Sequence, residues 1–401
     1  MTQKYSSLTS VRATRERLSE LGLTTKKYLG QHFLIDDGVL GKILRLANLQ
    51  ADSCVLEVGP GIGTLTEALL TQQATLAQQA LPAQKVELDV VGSDESFRAQ
   101  QVKLIAVELD DSLLAGLAER FPELHLIGGD ALDPVTIAKL QVLAPRALVA
   151  NLPYAVAATI LLEYFQVLPS LEQATVMVQR EVAERITAQP GSKEYGAYTV
   201  KLRLLAQVID QFKVSPQSFY PPPRVDSAVV RLERTHFFDE TFGAPSGDHF
   251  GNPSVATSGD PKSEHLSMSS SKPFATASML ADAGFFQRRK TIRNSIHAYF
   301  TEHDLDKDIV DDILDAAIID PSRRGETLSP GDYLSLALAC VKKPSKPTSS
   351  CASRSDVATF GSAKRDSTSV AGSSRSFKQV LQHPATPDAQ DDGFLHSLPS
   401  L

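Results

Sequence analysis

The stretch Val55-Leu56-Glu57-Val58-Gly59-Pro60-Gly61-Ile62-Gly63 constrains this chain more than any other. It opens as an apolar run of strand type and turns through three glycines spaced G-x-G-x-G. It then enters a helical pattern, Thr64-Leu65-Thr66-Glu67-Ala68-Leu69-Leu70. Strand, glycine turn and helix in that order indicate a nucleotide-type site at the carboxyl edge of a parallel sheet. Glycine has no Cβ, so such a turn reaches positive φ and lets backbone approach a ligand. A dinucleotide binder requires G-x-G-x-x-G, with its diphosphate on the helix N-terminus. Here the third glycine comes one residue early and an acid, Glu57, precedes the loop, which disfavours a dinucleotide.

The run E-V-G-P-G-I-G resembles the first motif of the S-adenosylmethionine-dependent methyltransferases. That cofactor has no phosphate, so Gly59, Gly61 and Gly63 need only let its methionine part lie against bare backbone. A site of this type also wants an acid at the end of the second strand, for the ribose hydroxyls. Glu87 has nearly the generic spacing. Glu108 comes later, but it ends a clean apolar strand, Leu104 to Val107, and an amphipathic helix follows with Leu113, Leu114, Leu117, Ala118 and Phe121 on one face. Glu108 is therefore preferred, and residues 71–103 become a lengthened connection. The third strand ends at Gly128-Gly129 and is followed by Asp130. In this class such an acid accepts a hydrogen bond from the exocyclic amine of the cofactor's adenine.

The fourth strand, Ala147 to Ala150, runs into Asn151-Leu152-Pro153-Tyr154, the most specific chemical signal in the chain. The N6 nitrogen of adenine is a poor nucleophile because its lone pair is delocalised into the ring. Hydrogen-bond acceptors for both of its N–H groups favour a more tetrahedral, more reactive amine. The Asn151 side-chain oxygen and the Leu152 carbonyl suit those roles. Pro153 stiffens the turn, and the Tyr154 ring can stack on a base held out of its helix. A second motif, Ser218 to Leu232, holds three prolines, Pro221 to Pro223, before a strand of alternating pattern. Its Phe219 is expected to clamp the base opposite Tyr154; as structure alone it would be a core plug.

Together Gln31–Leu34, Glu57–Gly63, Asn151–Tyr154, Gln179–Arg185 and Phe219–Leu232 resemble the small-subunit ribosomal RNA adenine dimethyltransferase family (KsgA type). His32 stands where that family has asparagine. The resemblance covers residues 26–234 and resumes from about 280 to 340. It implies an α/β, Rossmann-like methyltransferase domain with a smaller helical C-terminal domain. It implies cofactor contacts at His32, Leu34 and Asn151, and a substrate of two adjacent adenines in the 3′-terminal hairpin loop of small-subunit (16S) rRNA. The macrolide-resistance methylases of large-subunit rRNA share the Rossmann motifs. Two rival functions also fit parts of the pattern: a pre-rRNA-binding assembly factor with dispensable catalysis, and a protein-glutamine methylase, which uses a related N-P-P-Y motif.

At 401 residues the chain has room for two domains. Residues 1–25 read as a frayed arm, 235–280 as a disordered insertion rich in Ser, Gly, Pro and Asp, and 343–401 as a disordered tail. The small domain, 281–342, opens with a helix from Phe285 to Ile296, continues with an acidic helix from Asp304 to Asp315 and closes with an apolar helix from Tyr333 to Val341. The formal net charge of −7 does not suit a nucleic-acid binder, so affinity must come from local patches: Arg224, and Arg288, Arg289, Lys290 and Arg293 on the first of those helices. Cys54, Cys340 and Cys351 offer neither a disulfide framework nor metal-ligand spacing. No apolar run approaches the roughly 20 residues of a membrane span, and no secretory signal is visible. A cytoplasmic monomer acting on the small ribosomal subunit is expected.

Overall fold

The computed structural model describes residues 4–23, 32–80, 103–235 and 271–342. The chain divides into two compact units, residues 1–244 and 245–401.

The first unit begins with α1 (Val11–Glu20), β1 (Phe33–Leu34) and α2 (Asp37–Ala47). An alternating series follows: β2 (Val55–Val58), α3 (Thr64–Ala80), β3 (Leu104–Glu108), α4 (Asp111–Arg120), β4 (His125–Gly128), α5 (Pro134–Leu143), β5 (Ala147–Asn151), α6 (Ala157–Val167) and β6 (Gln173–Gln179). Then come α7 (Arg180–Thr187), α8 (Ala197–Leu205), β7 (Ala206–Val214), β8 (Phe219–Tyr220) and β9 (Ser227–Arg234). Seven strands form one sheet in the order β4-β3-β2-β5-β6-β9-β7. The first five are parallel, and β9 and β7 are antiparallel additions. Every residue of β2 and β3 is buried, as expected of parallel strands covered on both faces. From β2 the chain winds outward to β4, then crosses back to β5. That switch point sets the loops after β2 and β5 on either side of one crevice.

Local chemistry starts and stops the helices. Asp36 caps α2 by accepting from the Val39 N–H at 3.1 Å, and Asn48 ends it in the left-handed conformation at φ 47°. Asp133 caps α5, with Pro134 at the first helical position, where no N–H is needed.

The N-terminal segment corrects the expectation of a frayed arm. Leu8 and Leu18 are buried in a cluster with Phe33, Ile62 and Leu113. Asp37 accepts from the Tyr5 and Ser6 N–H groups at 2.9 and 3.2 Å. Glu67 accepts from the Ser6 hydroxyl at 2.6 Å and the Ser7 N–H at 2.9 Å. On α1, Arg17 donates to the Gly116 carbonyl at 2.8 Å and Arg15 donates to the Tyr220 hydroxyl at 2.9 Å. The helix looks polar because few of its residues face the protein; among them Thr14 and Leu18 are buried. The glycine-loop helix also runs further than its sequence pattern, to Ala80. The rest of the lengthened connection lies outside the described residues, as do residues 236–270 and the tail.

The second unit is helical: α9 (Ser271–Phe286), α10 (Ile292–Glu302), α11 (Val310–Ala316) and α12 (Pro330–Lys342). Ala277, Leu280, Ile296, Phe300, Leu314 and Tyr333 are among its buried residues. The helix α9 starts at Ser271, inside the stretch read as a disordered insertion. The expected basic helix from 285 to 296 is instead two helices joined by a turn. Thr291 starts the second helix by accepting from the Asn294 N–H at 3.3 Å, which places Arg288, Arg289 and Lys290 in the turn. The acidic helix is likewise shorter: a 3-10 turn, Lys307–Ile309, leads into α11. Ile318 follows α11 at φ 58°, in the left-handed region where glycine is usual.

Candidate active site

A cavity of about 500 Å³ opens in the crevice at the switch point. One wall is the glycine loop after β2. Gly59 and Gly61 hold φ of 69° and 61°, and both line the cavity. The Gly59 N–H donates to the Val107 carbonyl at 2.9 Å, tying the loop to β3. Gly63 has a different reason to be glycine. At φ 89° its Cβ would stand 2.5 Å from the Phe121 ring, so it serves the close packing of α4 and is not part of the lining.

Glu108 ends β3 at the cavity, beside β2 as its strand pairing requires. Its carboxylate accepts from the N–H groups of Gly61 at 3.1 Å, Leu109 at 3.0 Å and Asp110 at 3.1 Å. Burial raises its pKa, and those bonds from Asp110, Gly61 and Leu109 counter the rise in part. Glu87, the rival acid, lies outside the described residues. Glu57 is fully buried beneath the loop and accepts from the Thr66 hydroxyl at 2.7 Å. Burial, with the nearby Glu108 charge adding to it, pushes its pKa to about 8 against the Thr66 bond, so its carboxyl is mainly neutral at pH 7. Asp130 is exposed after β4 and accepts from the Leu132 N–H at 2.9 Å; it is not among the lining residues.

The opposite wall is the turn after β5. Asn151, Leu152, Pro153 and Tyr154 all line the cavity. The Leu152 N–H donates to the Met177 carbonyl on β6 at 3.1 Å, which fixes the turn to the sheet. The Asn151 Nδ2 donates to the His32 carbonyl at 3.2 Å, whereas its Oδ1 is buried and accepts no hydrogen bond among the described residues. A buried acceptor without a donor is costly, and such groups concentrate where a ligand supplies the missing bond. The Tyr154 hydroxyl is bonded to the Ser227 Oγ at 2.6 Å. Burial raises the Tyr154 pKa and the Ser227 bond counters it, so the phenol is neutral and is no base at physiological pH.

The expected clamp at Phe219 is corrected. β8 pairs with β1, setting Phe219 opposite Leu34 and Tyr220 opposite Phe33. Phe219 is 2% exposed and sits in the core with Leu34 and Val39. It does not line the cavity, and the ring beside Tyr154 is that of His32, 5.8 Å away between centroids. His32 and Leu34 do line the cavity. Sequence reading misses Ser227, Thr66 and the Pro221 carbonyl, each of which bonds a cavity residue. Only the position of Ser227, at the start of a patterned strand, carries any signal.

The sequence pattern that defines the family described as Ribosomal RNA adenine dimethylase matches residues 22–78 and 95–241. A ribosomal RNA small subunit methyltransferase A of Corynebacterium jeikeium is 32% identical over 329 residues, 82% of this chain and 94% of the relative. The chain belongs to the ribosomal RNA adenine dimethylase family. A second relative of the same name, from Mycobacterium tuberculosis, is 36% identical over 324 residues, 80% of this chain and 85% of its own. The crystal structure of a dimethyladenosine transferase from Plasmodium falciparum shares the fold, at TM-score 0.54 and 22% identity, over 78% of this chain and 98% of that one. Enzymes of this dimethylase family take S-adenosylmethionine as methyl donor, and the cavity fits it. Gly59 and Gly61 leave backbone bare on one side, Glu108 places a carboxylate in the lining, and among the described residues no Lys or Arg side chain lines the site to bind a phosphate. Among the described residues no cluster of His, Cys, Asp or Glu could hold a metal ion, and no helix is long and apolar enough to cross a membrane.

Arg224 is exposed on the loop between β8 and β9 with no ion pair among the described residues. In the second unit Arg288 pairs with Glu326 at 2.7 Å and Arg293 with Asp311 at 2.6 Å. Arg289 and Lys290 are exposed and have no such partner among the described residues.

Proposed function

We propose that this chain transfers methyl groups to N6 of two adjacent adenines in the 3′-terminal hairpin loop of small-subunit rRNA, giving dimethyladenines, and that it acts late in subunit biogenesis as a cytoplasmic monomer. The observation that carries this reading is the Asn151 Oδ1 in the cavity wall, which has no donor among the described residues. An exocyclic amine is the donor that oxygen lacks. The names of the bacterial relatives support the small-subunit substrate.

S-adenosylmethionine, when bound, supplies an electrophilic methyl group on a sulfonium, so no strong base is required. This chain's part is positioning and hydrogen bonding. Asn151 Oδ1 accepts one N–H of the amine and the Leu152 carbonyl accepts the other, raising the nucleophilicity of N6. Pro153 keeps the turn rigid, and the Tyr154 ring offers the base a stacking face. Glu108 would hold the ribose, with Gly59 and Gly61 against the methionine part and Asp130 toward the adenine of the cofactor. Arg224, Arg289 and Lys290 would meet phosphates, with Arg288 and Arg293 as weaker contributors because their charges are already paired. The test is incubation with labelled cofactor and unmethylated small subunits, followed by mapping of the modified base. Label in adjacent adenines of the terminal hairpin is expected; label only in large-subunit RNA or in protein overturns the reading.

A further inference from the structure

Gly41 and Gly116 stand inside α2 and α4, where glycine weakens a helix and needs a reason. A Cβ at Gly41 would come 2.5 Å from the Tyr5 ring, and one at Gly116 would come 2.4 Å from the Leu21 Cδ2. Both glycines therefore make room for the N-terminal segment. Polar ties join that segment to three helices. Asp37 on α2 accepts from the Tyr5 and Ser6 N–H groups, Glu67 on α3 accepts from Ser6 and Ser7, and the Gly116 carbonyl on α4 accepts from Arg17. Arg120 on α4 donates to the Ser7 hydroxyl at 2.7 Å and lies 3.4 Å from Glu67, so Ser7 joins α3 to α4. Of these helices, α3 leaves the glycine loop and α4 follows Glu108. The apolar side of the segment continues into the same wall. Leu8 and Leu18 share a cluster with Phe33, Ile62 and Leu113, of which Phe33 and Leu113 line the cavity. The Phe33 ring in turn lies 3.2 Å from where a Cβ at Gly61 would stand. Among the described residues the segment itself supplies no part of the lining.

We infer that residues 4–23 are a clasp for the cofactor site: they hold α2, α3 and α4 together and back Phe33 and Leu113, with Leu8, Leu18 and Arg17 as positioning residues for S-adenosylmethionine. This rests on the reading of the cavity as the cofactor's place. The clasp touches the cofactor nowhere and acts through two side chains that line the cavity. Loosening it leaves the glycine loop and Glu108 in the chain but frees the first turn of α4 and the Phe33 ring to shift. Cofactor affinity therefore falls, while the Asn151–Tyr154 turn, fixed to β6 by the Leu152 N–H, keeps its geometry. A segment that only adds stability has the same contacts, but its loss lowers the melting temperature without moving cofactor affinity in the folded protein.

The experiment uses the full chain with Leu8→Ala and Leu18→Ala combined, at a temperature where circular dichroism shows the variant folded. S-adenosylmethionine Kd by calorimetry is expected to weaken about 5- to 30-fold, the scale of coupling between a remote element and a site. In methylation of small subunits, KM for the cofactor should rise by a similar factor, with kcat within about twofold of wild type. Leu18→Met keeps the apolar volume and should bind cofactor as wild type does. Val200→Ala, in the buried face of α8, controls for general softening and should leave Kd unchanged. Should the double variant fail to fold, Arg17→Met removes only the tie to Gly116 and its neighbour Glu20, and is expected to weaken Kd about threefold. An unchanged Kd in a folded clasp variant overturns the inference, as does a Val200→Ala that weakens Kd as much. If Glu108→Ala binds cofactor as wild type does, the cavity reading falls and takes this inference with it. A weakened Glu108→Ala beside an unmoved clasp variant refutes the inference alone.

Discussion

The cavity at the switch point and the basic turn of the helical unit are the two regions where the sequence concentrates chemistry, and they differ in what their polar groups already hold. In the cavity, Asn151 presents a buried oxygen with no donor among the described residues, and Glu108 and Glu57 stand as buried acids with raised pKa values. In and just after the turn, two of the four cations are paired within the unit, Arg288 with Glu326 and Arg293, on α10, with Asp311. The first region stores unsatisfied polar valence at a cost to the fold. The second has settled part of its charge internally. Residue type therefore marks both places, but unsatisfied groups distinguish a site from a solvated surface.

The sharpest way to break that contrast is at Asn151. Asn151→Ala is expected to slow methylation of small subunits by roughly 100- to 1,000-fold, the scale of one lost transition-state hydrogen bond in a preorganised site, while subunit binding in a filter assay is retained. Wild-type turnover would mean that the unpartnered oxygen has no function. Next is Glu108→Ala, which should weaken cofactor binding by about 10- to 100-fold in calorimetry, with Glu87→Ala near wild type. The opposite ranking would undo the choice of strand. In the turn, Arg289→Gln with Lys290→Gln should lower subunit affinity by about tenfold and reduce the slope of log K against log salt by roughly 1.4–1.8. Arg288→Gln with Arg293→Gln should do less on both counts. Equal losses would erase the distinction between paired and unpaired cations. The smallest effect is expected at Ile318, which is 93% exposed and at φ 58°. Ile318→Gly should stabilise the protein by about 1 kcal/mol, seen as a rise in melting temperature with methylation unchanged. A loss of activity would mean that strain there serves function.

What is legible in the sequence is local. The glycine loop, the acid closing β3 and the Asn151–Tyr154 turn each declare themselves within a few residues, because strand, turn and helix must follow one another there. The roles that sequence misassigns depend on contacts between distant segments. Phe219 reads as a base clamp because it neighbours a stiff proline loop, but its fate is decided by β8 pairing with β1, far back in the chain. The segment around α1 looks unattached because its anchors, Asp37, Glu67 and Gly116, are remote in sequence. The turn at Gln287–Lys290 is hidden for another reason. Basic residues are good helix formers, so only Thr291, capping the next helix, marks the break.

The fastening of the N-terminal segment has a consequence for the order in which the molecule is made. Residues 4–23 leave the ribosome early, yet the groups that hold them are synthesised later. Asp37 comes soon after, then Glu67; Gly116 arrives with α4, and Tyr220, the partner of Arg15, is 205 residues behind. The segment therefore cannot complete its contacts until most of the first unit has emerged. Leu8 and Leu18 share their cluster with Phe33, Ile62 and Leu113, so that cluster is complete only after α4 has been made.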